Sequence, residues 1–558
     1  MAKQSNPFMF YFLNITFLIL LTSPPHAQAI SRNNVCKSTR FPSYCSSVLP
    51  NNDAGIHDYG RLSLRKSLSQ SQKFLNFINS YLQRNSVSLS QPTIRALHDC
   101  RELLSGNIDL LGNSVGPLNN TSKLLPSLEA DDLQTHLSTV MTNLQTCSDG
   151  LEASPSVKND VSQTLSDDSK LHSITLALCT EGWVPKQRDG ESRRSRSHRV
   201  SSKGRLPMKM SDRARAVYDR ARSHHPRGRK LLQVGDEEVV IKDIVIVSKD
   251  GLWNYTSIND AIAAAPNNSA SSGGYFLIYV TAGVYEEYVN IASNKKYLFL
   301  LGDGINQTII TGSHSVGDGW TTFNSATLIV TGPGFLAVDI TVRNTAGPSK
   351  SQAVALRSGA DLSTFYRCSF EAYQDTLYTH SQRQFYRECD VYGTVDFIFG
   401  NAAVVLQNCN LYPRLPNKGQ FNAITAQGRI DPSQNTGTSI QNCTVRPAGD
   451  LAASNGTTKT YLGRPWKEYS RTVYMQSFLD GFIDPAGWHE WSGDFALNTS
   501  YYAEYANWGP GSNTTNRVKW SGYHVIGATE AANFTVSTFL SGDNWLPRTG
   551  VPYAGGLM

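Results

Sequence analysis

Charge is scarce in this chain: Asp, Glu, Lys and Arg make up 17% of its 558 residues, against 40% hydrophobic ones. That balance excludes a disordered or coiled-coil protein and leaves apolar side chains for more than one core. Long apolar runs are missing as well. The longest, FMFYFLNITFLILL at residues 8–21, is too short to span a bilayer. It follows Lys3 and precedes an A-x-A pattern at Ala27 and Ala29, so residues 1–29 read as a signal peptide and the mature chain is expected to be secreted with no membrane anchor. None of the nine cysteines has C-x-x-C spacing, and His314, His380, His489 and His524 lack ligand spacing, so no metal is expected. All nine cysteines lie beyond the cleavage point, where disulfides persist.

The formal net charge of +6 is unevenly spread. Residues 186–230 carry 16 Lys and Arg against 4 Asp and Glu, whereas residues 30–185 sum to −1 and residues 231–558 to −6. The basicity belongs to a connecting segment, and no nucleic-acid partner is expected.

What is present divides the chain. Segments 64–82, 94–115, 133–151 and 161–179 repeat apolar residues at three- and four-residue spacing between Ser, Asp, Pro and Gly caps. Residues 30–184 are therefore expected to form an all-α four-helix bundle. Residues 185–232 are Arg- and Ser-rich and read as an exposed linker, ending in Arg229-Lys230-Leu231-Leu232. A dibasic motif on exposed backbone of a secreted protein reads as a processing site, with a subtilisin-like protease as its expected partner; the plainer reading is a solvated spacer.

The rest is rich in β-branched and aromatic runs broken by Gly, Asn, Asp and Pro, with no room for helices between them. A period near 21 residues runs through it: Cys368 to Cys389 is 21, Cys389 to Cys409 is 20, Gln352 to Gln374 is 22 and Asp375 to Asp396 is 21. Such a period marks a solenoid, and three short strands per coil predict an all-β right-handed parallel β-helix over residues 233–558. One period is then one rung, about 4.8 Å up the stack.

That geometry makes a candidate site. Asp375 in YQDTL and Asp396 in DFIFG fall on adjacent rungs, where two carboxylates cannot both ionise easily, giving one acid and one base or nucleophile. Gln352 in QAVAL and Gln374 add amide donors suited to an oxyanion. Arg464 in LGRPW is placed to hold one aspartate charged, and Trp466 offers a flat face to a sugar. Taken singly, each is more often a turn residue, a ladder amide, a surface ion pair or a core aromatic. Residues 112–116 match G-x-S-x-G, but at a helix end with no preceding strand, so a nucleophile elbow is excluded.

The blocks GVYEE (283–287), QAVAL, YQDTL, DFIFG and LGRPW, in this order and spacing, resemble those of plant pectin methylesterases across residues 235–550. The helical part is similar to the pectin methylesterase inhibitor family, so the whole resembles a precursor holding both. The resemblance implies hydrolysis of galacturonate C6 methyl esters in methyl-esterified homogalacturonan (pectin), in the cell wall and without a cofactor. It implies Asp396 as nucleophile, Asp375 as general acid then base, Gln352 and Gln374 at the oxyanion, and Arg464 and Trp466 as positioning and substrate-binding groups. It also implies a Cys389–Cys409 disulfide and supports Cys36–Cys45 and Cys100–Cys147, leaving Cys179 free and buried. An inhibitor–esterase pairing within or between chains follows, and a monomer is expected. Two other functions remain open: a polygalacturonan glycosidase using the same carboxylates, and a protein acting mainly as an esterase inhibitor.

Overall fold

The computed structural model describes residues 31–85, 87–186, 197–198, 206, 208–224, 239–454 and 456–558. The expected signal peptide and the motif Arg229-Lys230-Leu231-Leu232 lie outside the described residues.

The amino-terminal part is the expected bundle: α1 (Ile56–Asn85), α2 (Gln91–Leu118), α3 (Ser127–Gly150) and α4 (Pro155–Trp183). Each outruns its periodic segment at one end or both, and two of the starts carry clear signals. The Ser90 hydroxyl accepts from the Thr93 amide ahead of α2, and Pro155 opens α4. Cys36–Cys45 ties together two short leading helices, and Cys100–Cys147 joins α2 to α3. Cys179 is a buried thiol whose burial pushes its pKa up to about 12.

The carboxyl-terminal part winds as a parallel β-helix. Among the described residues its strands form three parallel sheets of twelve, eight and seven strands, each strand paired with one a coil away. One corner is turned the same way at six successive coils: Asp339, Arg367, Glu388, Asn408, Asn442 and Gln476, each two residues ahead of a strand of the eight-stranded sheet, all have positive φ. The next side chain points inward, which stacks Cys368, Cys389, Cys409 and Cys443 in a buried ladder.

That ladder corrects the Cys389–Cys409 pairing: both are free thiols, as are Cys368 and Cys443. In-register parallel strands aim these side chains the same way and hold neighbouring Cβ atoms near the ~4.8 Å strand spacing, beyond the ~3.8 Å a disulfide needs. The Cys409 amide instead points at Cys443 Sγ, 3.4 Å away.

The expected linker is also not structureless throughout. Met208–Lys209 forms the outermost strand of the twelve-stranded sheet, and a helix spans Asp212–His224. Ala214, Tyr218 and Ala221, on one face of that helix, are buried against Val239, Ile241, Tyr279 and other residues of the β-helix. Three apolar residues in an arginine-rich stretch carry little compositional signal, yet they suffice to seat a cap on the solenoid.

The seven-stranded sheet positions the site: β1 (Val289–Ile291), β2 (Leu328–Val330), β3 (Leu356–Ser358), β4 (Leu377–Thr379), β5 (Ile398–Gly400), β6 (Asn422–Gln427) and β7 (Thr460–Gly463). Its outer row of Ile329, Tyr378, Phe399 and Ala426 shares one buried cluster with Leu103, Leu104, Leu144 and the Cys100–Cys147 pair of the bundle. The two parts thus meet face to face on this sheet.

Candidate active site

Asp375 and Asp396 each stand two residues ahead of a register pair, Leu377 opposite Ile398, so they occupy equivalent places one rung apart. Both backbones are left-handed, with φ of 63° and 54°. An aspartate tolerates that conformation at a cost, and its repetition on adjacent rungs turns both carboxyls to the same face. The two residues are 8% and 5% exposed.

Arg464, leaving β7, separates their roles. Its Nε donates to Asp396 Oδ1 at 2.8 Å and its Nη2 to Oδ2 at 2.7 Å, a two-pronged clamp. Burial pushes both carboxyls upward. On Asp375 the charge of Asp396 pushes the same way, holding its pKa well above the usual carboxylate range. On Asp396 the bonds and charge of Arg464 pull back. Asp375 is therefore the member that holds a proton, and Asp396 the one that stays charged.

The guanidinium is itself fixed by rings: Trp491 lies 4.3 Å from it and Phe421 5.3 Å. Trp466 packs edge-on against Phe399 at 5.9 Å, over Gly428, where an added Cβ would come within 2.8 Å of the indole. Gln352 and Gln374 enter from the turns ahead of β3 and β4, both partly exposed, linked through the Ala353 amide, which donates to the Gln374 carbonyl at 3.1 Å. All six sequence-derived residues thus belong to one sheet and the turns at its edge. The sequence reading missed Phe421, Trp491, Tyr378 and Phe399. The last two stand inside or beside the quoted motifs, whereas Phe421 and Trp491 are brought in by coils with no local signature.

His380, read from sequence as ordinary, is buried with its Nε2 3.0 Å from Thr146 Oγ1 of α3, and burial takes its pKa down to about 3. It is one of a series of contacts along α3. Asn401 donates to Thr142 at 2.8 Å, Gln434 to the Ser138 carbonyl at 2.9 Å, and Lys467 to Asp149 at 2.8 Å. The stripe Thr135, Ser138, Thr142 and Thr146, polar in sequence, is buried and faces the β-helix rather than water. Arg40, ahead of the bundle, adds an ion pair to Glu468.

Two carboxyl groups one rung apart on a parallel β-helix, one clamped by an arginine and one proton-bearing, make a candidate paired-acid site. The comparisons narrow this. Residues 244–543 match the family Pectinesterase and residues 31–178 the family Plant invertase/pectin methylesterase inhibitor. "Probable pectinesterase/pectinesterase inhibitor 20" of Arabidopsis thaliana is 58% identical over 96% of this chain and 95% of its own length. "Pectinesterase 2" of Citrus sinensis is 49% identical over 83% of this chain and 82% of its own. The solved pectin methylesterase from carrot is 52% identical, with a TM-score of 0.56, and covers 59% of this chain and 100% of its own. The chain belongs to the pectinesterase family of carboxylic ester hydrolases and carries an amino-terminal inhibitor-like domain. Among the described residues no helix is long and apolar enough to cross a membrane.

Proposed function

We propose that this protein hydrolyses the C6 methyl esters of galacturonate units in cell-wall pectin, with Asp396 as nucleophile and Asp375 as proton carrier. An Asp396 oxygen attacks the ester carbonyl carbon, and the Gln352 and Gln374 amides donate to the oxyanion that forms. As the C–O bond breaks, Asp375 gives its proton to the methoxy oxygen and methanol leaves, with the galacturonyl group held on Asp396 as an anhydride. The Asp375 carboxylate then takes a proton from water, the hydroxide adds to the same carbon, and collapse returns Asp396 and frees a galacturonate acid. Arg464 keeps Asp396 ionised and aimed, while Trp466 and Phe399 present apolar faces to the sugar.

The observation that carries this reading is the asymmetry of the pair: Arg464 clamps Asp396 alone. The bundle acts on the same chain as an intramolecular inhibitor, a role supported by its packing on the sheet that bears the site. Cleavage in the segment before residue 239 then separates the two parts.

The test is methanol release measured together with polymer length on highly methylated pectin. It uses the secreted chain carrying an engineered protease site within residues 187–196, before and after cutting. Methanol at unchanged polymer length, at least a thousandfold lower in Asp396→Ala, is expected on the scale of losing a nucleophile. Chain shortening would move the site to the glycosidase reading.

A further inference from the structure

The turn that carries Gln374 and Asp375 is held from behind. It leaves the strand Ser369–Glu371 of the eight-stranded sheet and enters β4 at Leu377. Within it Asp375 is left-handed, with φ of 63°. The Gln374 side-chain amide makes no hydrogen bond among the described residues, so its direction follows from the backbone of the turn.

One long side chain crosses this turn on its outer side. Arg414 follows the strand Asn410–Pro413, two coils further on, where its amide donates to the Gly393 carbonyl at 2.7 Å. The side chain runs back past the intervening coil. Its Nη1 donates to the Ala372 carbonyl at 3.0 Å and its Nη2 to the Tyr373 hydroxyl at 2.7 Å. The guanidinium also lies 3.8 Å from the centre of the Tyr373 ring. A backbone carbonyl, a hydroxyl and a ring are thus gripped at once, and they belong to the two residues just ahead of Gln374. The planar fork of an arginine can do this, whereas a point charge on a flexible stem cannot.

Arg343 and Arg446, on the same side of the solenoid, give the contrast. Arg343 bonds Glu371 at 2.7 Å, and Arg446 lies over the Phe478 ring at 4.9 Å. Neither grips a turn that bears a site residue. The acid beside Arg414 is the lesser part of its surroundings: Asp450 Oδ2 stands 3.6 Å from Nε and its side chain is 38% exposed, where an ion pair contributes little. A groove of about 430 Å³, lined in part by Glu371, Tyr392, Arg414 and Asp450, lies on that side. A shortened side chain at position 414 therefore meets the groove and not the packed interior of the coil.

We propose that Arg414 is a positioning residue of the esterase reaction: by fixing Ala372 and Tyr373 it aims the Gln374 amide at the oxyanion. This rests on the pectin esterase reading. The oxyanion exists only during carbonyl attack, so a donor that drifts loses transition-state stabilisation while substrate binding stands. The role of Arg414 is then read in kcat and not in KM.

The test measures both constants for methanol release from highly methylated pectin, using the secreted chain cut within residues 187–196. Arg414→Ala is expected to lower kcat about 10²-fold, the scale of an ångström-sized misplacement, at unchanged KM. Arg414→Lys, which keeps a donor, should recover part of the loss. Asp450→Ala removes only the ion pair and should keep wild-type kcat. The deciding measurement is a double-variant cycle. Gln374→Ala alone is expected to cost about 10²- to 10³-fold in kcat, and Arg414→Ala should add nothing to it, because the group it aims is gone. A merely structural role would multiply the two losses. If Arg414→Ala does not fold, Tyr373→Phe, which removes one oxygen, takes its place in the same cycle. Independent losses, or a higher KM at unchanged kcat, would overturn the positioning role and leave the esterase standing. Absence of methanol from wild type would instead overturn the esterase reading and this role with it.

Discussion

At the scale of single residues, Arg464 sets the two aspartates apart by bonding Asp396 alone, and the proposed mechanism assigns their roles from that difference. Without Arg464, nothing among the causes acting on Asp396 opposes burial. The carboxyl's pKa rises, and because attack needs the ionised form, the acid limb of the rate profile moves to higher pH. Arg464→Gln is expected to cut kcat by about 10²- to 10³-fold and to shift that limb upward, read from kcat between pH 4 and pH 9, roughly the span over which such groups titrate. An unshifted limb with the same loss would mean that Arg464 only aims Asp396. This residue was legible in the sequence because LGRPW is a contiguous block. Arg357 was not: it sits one residue past QAVAL and looks like a strand arginine until Glu102, 255 residues earlier on a helix of the bundle, pairs with it at 3.6 Å.

Among the elements, α3 was read correctly as a helix and incompletely as a surface. Its polar stripe fits the expectation of a solvated face, and only the docked arrangement shows it buried. Small hydroxyls make this workable, since Thr142 accepts from Asn401 within a buried contact and leaves no charge behind. Thr142→Arg would drive an unpaired guanidinium into that contact, at a cost of several kcal/mol. The uncut chain carrying it should release methanol at a rate approaching that of the cut chain, measured side by side at equal concentration. A rate as low as wild-type precursor would show that α3 does not hold the closed form. The coils of the β-helix were legible for the opposite reason: their period is written in the chain, whereas a docking surface has no period of its own.

For the molecule as a whole, the packing of the bundle on the β-helix changes the surroundings of Asp99, whose carboxyl accepts from Thr321 and Asn324. Its ordinary value is 3.8, and in the docked arrangement, facing Glu102, Arg357, Thr321 and Asn324, it stands at about 7. A group whose pKa rises on docking favours the docked state when protonated. Its contribution is complete below about pH 4 and is lost as pH rises through about 7. The activity of uncut chain relative to cut chain should therefore climb between about pH 5 and pH 8, and Asp99→Asn should flatten the climb. A ratio independent of pH in wild type would exclude Asp99 as the linking group.

The cap helix Asp212–His224 stands on the bundle side of Arg229-Lys230 in sequence, yet it is packed on the β-helix. A cut at that motif produces a fragment that grips the esterase at two places, the sheet and the solenoid end, through one connected chain. Two footholds on one tether rebind each other, so release is far slower than either alone would allow. Activity should then lag behind cleavage, and a further cut within residues 187–196, which makes the footholds independent, should remove the lag in a time course of methanol against band loss. Were the chain processed at that motif as proposed, proteolysis would start the clock and avidity would set how long it runs.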